Sequence, residues 1–140
     1  MTLRLLLAAA LLALAVGCAS KPEPAQLSGK VTFKGRPVPA GWISFTPDVE
    51  AGGLGQVRVF QIKDGVYDSS QEDPPGIPPG PYLIKIAGFD GKKIPYFGQG
   101  KQIFNPVDDK YTVPPGTSTK DFVIPESAGY NVKIQPTADS

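Results

Sequence analysis

Glycine and proline occur so often along this chain that a long helix has little room to form after the N-terminal apolar segment. The 140 residues include 16 Gly and 16 Pro, and both residue types are unfavourable inside a helix. From Leu27 onward apolar residues instead recur at every second position, as in Val31 and Phe33 or in Ile43 and Phe45. That period is typical of half-buried strands. The main part of the chain is therefore predicted to be all-β.

About seven short strands are predicted, because turn signals separate the alternating runs. Asp64-Gly65 favours the positive φ angles of hairpin turns, and such turns recur between the runs. This spacing predicts an antiparallel β-sandwich (prealbumin-like or Ig-like), with a barrel as the alternative. Tyr82 follows a Pro-Pro-Gly turn and is predicted to tie a corner through its hydroxyl. The strands are expected around Val31 and Phe33, Ile43 and Phe45, Val57 and Val59, Val66 and Tyr67, Tyr82 to Ile86, Phe122 and Ile124, and Tyr130 to Ile134.

The first residues form a separate, strongly apolar segment. A run of twelve apolar residues extends from Leu5 to Val16 behind the single basic residue Arg4. A short apolar run behind a basic start is typical of a signal peptide. The run is shorter than the ~20 residues that a spanning helix needs, so export is predicted and a transmembrane anchor is not.

The segment ending in Cys18 resembles a lipobox, the cleavage and acylation signal of bacterial lipoproteins. Ala15, Val16 and Gly17 precede Cys18, which is the only cysteine of the chain and cannot form an internal disulfide. The resemblance implies that residues 1–17 are a signal peptide cleaved between Gly17 and Cys18, and that Cys18 carries the lipid, with palmitate among its acyl groups. The alternative is a chance free cysteine.

These features divide the chain into four parts. Residues 1–17 are the predicted signal peptide, residues 18–26 a lipidated tether, residues 27–136 the β domain and residues 137–140 a tail. The expected location is the bacterial cell envelope, with the domain held at the membrane by lipid and facing the periplasm or the exterior. No Asp follows Cys18 directly, which favours the outer membrane.

Three segments carry a resemblance to a known family. The stretch from Gly29 to Pro47, GKVTFKGRPVPAGWISFTP, resembles the opening of carboxypeptidase-regulatory-like or transthyretin-like domains. The segments DGVY, ending at Tyr67, and PGPYLIKI, ending at Ile86, resemble the hairpin and strand that follow in that family. Together with the lipobox, the chain is similar to small exported lipoproteins of planctomycete-type bacteria. The resemblance implies a β-sandwich domain and specifies no activity.

Charge and histidine content exclude several classes of function. Lys and Arg total 14 against 13 Asp and Glu, so the basic excess of a nucleic-acid-binding protein is missing. The chain has no histidine, which removes imidazole-dependent catalysis and the commonest zinc ligand. The enzymes of related folds, hydroxyisourate hydrolases and intradiol dioxygenases, depend on histidine. A non-enzymatic protein without a cofactor is therefore expected.

Carboxylates offer the remaining chemistry. The neighbouring pairs Asp108-Asp109 and Glu72-Asp73 are expected in Pro-flanked loops as solvated charges. They are not expected to be catalytic, because the two carboxyls that hydrolyse a glycoside must face each other across a cleft. Asp90, Asp108 and Asp109 bracket one loop and provide the oxygen ligands that calcium prefers. They lack the spacing of a calcium-binding loop, so no metal site is predicted.

Candidate binding residues lie mainly between Asp90 and Lys110, a stretch without clean alternation that is predicted to be a long loop. Tyr96, Phe97 and Phe104 stand there among lysines. Such aromatic residues can anchor a protein partner or stack on sugar rings; the alternative is that they fold back and cap the core.

Trp42 is a further candidate, because it is out of phase with Ile43 and Phe45 and should face away from their core. It is expected to be a surface contact or a cover for the loop. The sequence thus predicts a non-catalytic binding or structural module of the envelope. A protein partner is favoured, and a polysaccharide is the alternative.

Overall fold

Nine strands and three short 3-10 helices follow one another across residues 21–130, the part of the chain that the computed structural model describes. The all-β prediction is confirmed for these residues. None of their helices is long and apolar enough to cross a membrane. The strands are β1 (Gln26–Phe33), β2 (Arg36–Pro37), β3 (Ala40–Pro47), β4 (Arg58–Lys63), β5 (Val66–Asp68), β6 (Gly80–Phe89), β7 (Val107–Val113), β8 (Thr117–Thr119) and β9 (Phe122–Ile124). The 3-10 helices span Val49–Ala51, Ser69–Gln71 and Glu126–Ala128.

The strands form one curled sheet in the order β2-β1-β5-β4-β3-β6-β7. Neighbours along this path are antiparallel, whereas β8 and β9 pair with β1 in parallel. β7 ends at Val113 on one edge of the path, and β8 begins at Thr117 beside β1. The connection between them is short, so the sheet must curl until its two ends approach each other.

The two ends of β1 define two poles of the domain. Its start lies beside Ala25, whose backbone N–H donates to the Ile77 carbonyl at 2.7 Å, and we call this end the proximal pole. Its other end, at Phe33, belongs to the distal pole. The eight residues of β1 separate the poles by about 26 Å. Pairing in the sheet assigns segments 47–57, 69–80 and 113–117 to the proximal pole, and segments 34–39, 64–65, 90–106 and 125–129 to the distal pole.

The core fills the inside of the curled sheet. Phe45 on β3 lies near its centre, with its ring 5.4 Å from that of Phe60 and 5.9 Å from that of Tyr82. The alternation in β1, β3 and β6 places apolar residues inward, as predicted. The buried residues anticipated by the pattern are Val31, Ile43, Phe45, Tyr67, Tyr82, Ile84, Ile86, Phe122 and Ile124.

The sequence predicts the wrong set of inward-facing residues for β4. Val57 and Val59 are exposed, and the core positions of β4 are instead Phe60 and Ile62. Pairing decides the phase, because Phe60 lies directly opposite Ile43 on β3. The larger side chains are thereby buried, and a shift of one residue would turn them all outward.

The predicted loop up to Lys110 is also too long, because β7 begins at Val107. Asp108 and Asp109 therefore lie on a strand and not in a Pro-flanked loop. Asp108 is opposite Lys85 on β6, and their charged atoms are 3.5 Å apart. Charged side chains on an edge strand discourage pairing with other chains. Glu72 and Asp73 do lie in the connection between β5 and β6, as predicted.

Two buried tyrosines join distant parts of the fold. The hydroxyl of Tyr82 donates to the Pro78 carbonyl at 2.8 Å, which confirms the predicted structural hydrogen bond from this side chain. The hydroxyl of Tyr67 donates to the Lys120 carbonyl at 2.6 Å and connects β5 with the chain before β9. Burial raises the pKa of both side chains, so both hydroxyls stay protonated donors at neutral pH.

Some predictions concern positions outside the described residues. These are the signal peptide (1–17), the lipidated Cys18, the expected strand positions Val132 and Ile134 after Tyr130, and the tail (137–140). They stay predictions.

Candidate binding surface

The chain between β6 and β7 first forms a hairpin at the distal pole. Phe89 bridges to Gln102, and the Asp90 backbone N–H donates to the Lys101 carbonyl at 2.9 Å. The Asp90 carboxylate also accepts the backbone N–H groups of Lys92 and Lys101, at 3.0 and 3.1 Å. We call residues 90–101 the distal hairpin. It is an ordered loop because its base is fixed by these bonds.

The tip of the distal hairpin presents aromatic side chains to solvent. The Phe97 backbone N–H donates to the Ile94 carbonyl at 3.0 Å, which closes a turn with Pro95 and Tyr96 at its centre. Tyr96 has a φ of 70°, in the left-handed region that favours Gly or Asn after such a proline. Its side chain is fully exposed, and that of Phe97 is 62% exposed. A bulky aromatic residue is thus held outward on strained backbone.

Phe104, in contrast, belongs to the core, as the capping alternative predicts, and is not exposed as a binding residue. It is 0% exposed, and its ring lies 5.1 Å from that of Phe33. Gly88 on β6 provides the space, since a Cβ there would lie 2.4 Å from the Phe104 ring. The capping interpretation therefore applies to the chain after the hairpin. A glycine inside a strand pattern was the signal that an aromatic ring packs there.

Trp42 lies on the outer face of β3, opposite to Ile43 and Phe45, and is half-buried. Its neighbours on the adjacent strands are Gln61 and Ala87. The Gln99 side-chain amide donates to that of Gln61 at 3.1 Å, so the distal hairpin crosses the sheet beside Trp42. This placement favours the interpretation of Trp42 as a cover for the loop over that of a separate contact.

A groove of about 440 Å³ opens at the distal pole between the turn after β1 and the chain after β6. Two cations, Lys34 and Arg36, line it together with Asp90. The ion pairs in residues 21–130, Lys85–Asp108 and Lys110–Asp48, lie on other parts of the fold. The groove is lined by Phe33, Lys34, Arg36, Pro37, Pro39, Asp90 and Ile103. The basic residues in the segments of this pole are Lys34, Arg36, Lys92, Lys93 and Lys101, against the acidic Asp64, Asp90 and Glu126. The distal pole is therefore basic as well as aromatic.

Acid should loosen the distal hairpin. Hydrogen bonding from the Lys92 backbone N–H, helped by that from Lys101, lowers the pKa of Asp90. A carboxylate whose pKa is lower in the folded state stabilises the fold at pH values above its unfolded-state pKa of about 4. This stabilisation is lost as the pH falls through the folded-state pKa. We expect amide hydrogen exchange in residues 91–101, corrected for intrinsic rates, to accelerate below pH 4 while β3 stays protected.

The variant Asp90→Asn is the control for this effect. It keeps an uncharged acceptor, so exchange in the hairpin should be faster at neutral pH and nearly independent of pH. Equal pH dependence in the wild type and the variant would contradict the assignment.

The described residues do not bring three metal-binding side chains together. Asp90 holds the hairpin base, while Asp108 on β7 faces Lys85 on β6; these two carboxylates thus have separate structural partners. The chemistry that this surface offers is binding, through exposed aromatic groups and surrounding cations.

No protein-family model matches the chain, and no curated protein shows significant similarity to it.

Proposed function

We propose that the protein is a lipid-anchored, non-catalytic binding module of the bacterial cell envelope that contacts a protein partner through the distal hairpin. The observation that carries this proposal is Tyr96, fully exposed on left-handed backbone beside the exposed Phe97. Backbone strain in a folded protein persists where the surroundings enforce it and is concentrated at functional sites. Exposed aromatic residues are also the side chains that most often anchor an interface.

The position of the distal hairpin supports this proposal. A lipid on Cys18 would hold the domain by its proximal pole, because the chain enters the sheet at Ala25. The distal hairpin lies at the other end of β1, about 26 Å away. The aromatic tip would then lie at the end of the domain that is further from the anchoring membrane. For the domain we propose the β-sandwich of carboxypeptidase-regulatory-like domains, and for its location the outer membrane, facing the periplasm or the exterior.

The shape of the tip favours a protein partner. Tyr96 and Phe97 protrude from a turn, and a protruding aromatic side chain fits a pocket on another protein. The surrounding lysines complement an acidic rim around such a pocket. A polysaccharide is the second candidate, favoured by the groove beside Lys34 and Arg36, which could take an anionic sugar.

Site-specific photo-crosslinking in living cells tests the proposal. A photoreactive phenylalanine replaces Tyr96 in one strain and Val123, which is 79% exposed on β9, in a control strain. We expect one envelope protein to be crosslinked at position 96 and not at position 123. Adding Phe97→Ala should reduce that product at least fivefold while the protein level stays unchanged.

Two outcomes would contradict a protein partner. Equal labelling from both positions would show that the tip has no specific contact. Retention of an envelope polysaccharide without a crosslinked protein would support the second candidate. In that case neutralising Lys34 and Arg36 together should release the polysaccharide.

A further inference from the structure

A second exposed apolar surface lies at the proximal pole. Leu54 is 82% exposed and Val49 is 75% exposed, and Val57 is also exposed. We call these three residues the proximal patch. Leu54 stands between Gly53 and Gly55, and Glu50 is the only charged residue in 49–57. All three belong to the connection between β3 and β4, and exposed apolar patches mark sites of interaction with proteins or membranes.

Hydrogen bonds place the proximal patch at the pole where the chain enters the sheet. The Asp48 backbone N–H, next to Val49, donates to the Pro81 carbonyl at 3.0 Å. The adjacent Tyr82 is bonded to Pro78. Ile77, the residue before Pro78, exchanges two backbone hydrogen bonds with Ala25, of 2.7 and 2.9 Å. A continuous bonded path therefore connects the patch with the end of the tether.

The tether limits how far this pole can lie from a lipid on Cys18. Seven peptide links separate Cys18 from Ala25, and a fully extended chain of that length reaches ~25 Å. Residues 21–24 are exposed and leave the pole free to approach the membrane. The patch is thus within reach of the surface that would hold the lipid.

We infer that the proximal patch inserts into the interface of the anchoring membrane as a second contact beside the lipid. This inference rests on the lipid anchor proposed above. The occupant is the neutral part of the lipid surface, because segment 49–57 contains no Lys or Arg with which to attract anionic headgroups. Side chains such as Leu and Val gain free energy on leaving water. The contact would fix the orientation of the domain and direct the distal hairpin away from the membrane.

Depth-dependent fluorescence quenching tests the inference on the full-length protein. The lipidated variant Leu54→Cys is labelled with a polarity-sensitive dye and reconstituted into phosphatidylcholine vesicles that contain spin-labelled lipid. Val123→Cys is the matched control, since Val123 is as exposed as Leu54 but lies on β9, which pairs with the distal half of β1. We expect at least threefold stronger quenching at position 54, unchanged in 0.5 M salt.

The wild-type protein separates failure of this inference from failure of the anchor. When Cys18 carries lipid, the wild type has no free thiol and takes up no dye. Labelling of the wild type would therefore overturn the lipid anchor itself. An unlabelled wild type with equal quenching at positions 54 and 123 would overturn only the membrane contact. A dye at position 54 that is shielded from water but not quenched would also overturn it, and would indicate that residues 131–140 or a second copy cover the patch.

Discussion

Replacing Phe104 with alanine is expected to lower the free energy of unfolding by about 3–5 kcal/mol. Phe104 is 0% exposed and contacts the ring of Phe33, and its removal leaves a cavity against Gly88 that the backbone cannot fill. The same substitution at Phe97, only seven residues earlier, should change stability by no more than about 0.5 kcal/mol. Phe97 projects from the tip of the distal hairpin and is neither in the hydrophobic core nor among the residues packed against it.

Urea unfolding of both variants, followed by the fluorescence of Trp42, measures this difference. The comparison tests the division of the chain after β6 into an outward hairpin and an inward core segment. Equal losses at Phe97 and Phe104 would contradict that division. A large loss at Phe97 alone would mean that the hairpin tip is part of the core and is not available to a partner.

The second large effect is expected at Gly29 on β1. A Cβ at this position would lie 1.9 Å from the Lys120 carbonyl oxygen. The carbonyl cannot move away freely, because it also accepts the hydroxyl of Tyr67 at 2.6 Å. Gly29→Ala must therefore separate β1 from the chain before β9 or break that hydrogen bond. We expect a loss of about 3 kcal/mol, the upper part of the range for overpacking.

Gly98→Ala is the matched control, because nothing lies within 4 Å of a Cβ at Gly98. Its thermal midpoint should stay close to that of the wild type, whereas Gly29→Ala should melt well below it. A wild-type midpoint for Gly29→Ala would show that β1 and the Lys120 carbonyl are further apart than described. Combining Gly29→Ala with Tyr67→Phe should cost less than the sum of the two single changes, since both disturb one contact.

The fold was predictable from sequence where a strand alternates cleanly and lies inside the sheet. β1 and β3 have the core positions that the pattern indicates, and the hydroxyl bond of Tyr82 follows from the turn before it. The inward-facing residues of β4 cannot be read from its sequence, because Val57 and Val59 alternate as regularly as Phe60 and Ile62 do. Only pairing with β3, which puts Phe60 opposite Ile43, decides between them.

The candidate site was predictable in composition but not in arrangement. Sequence alone identifies Tyr96, Phe97 and Phe104 as aromatic residues in a segment without alternation, and cannot tell which of them point outward. Phe104 is buried because β6 provides a gap at Gly88, a contact made by pairing across the fold. β7 is not predictable from its sequence, because its charged residues suit an exposed edge strand as well as they suit a loop. The basic distal pole likewise arises only when separate turns meet.

Mass spectrometry of the N-terminal peptide, isolated from cell membranes, tests the central claim most directly. A lipid anchor predicts a chain that begins at Cys18, with residues 1–17 absent and with the mass of a diacylglycerol and a further acyl group added. It also predicts that the Cys18→Ala protein is released from membranes by a carbonate wash. A chain that retains residues 1–17, or a wild-type Cys18 with a free thiol, would contradict the anchor and the orientation of the two poles that depends on it.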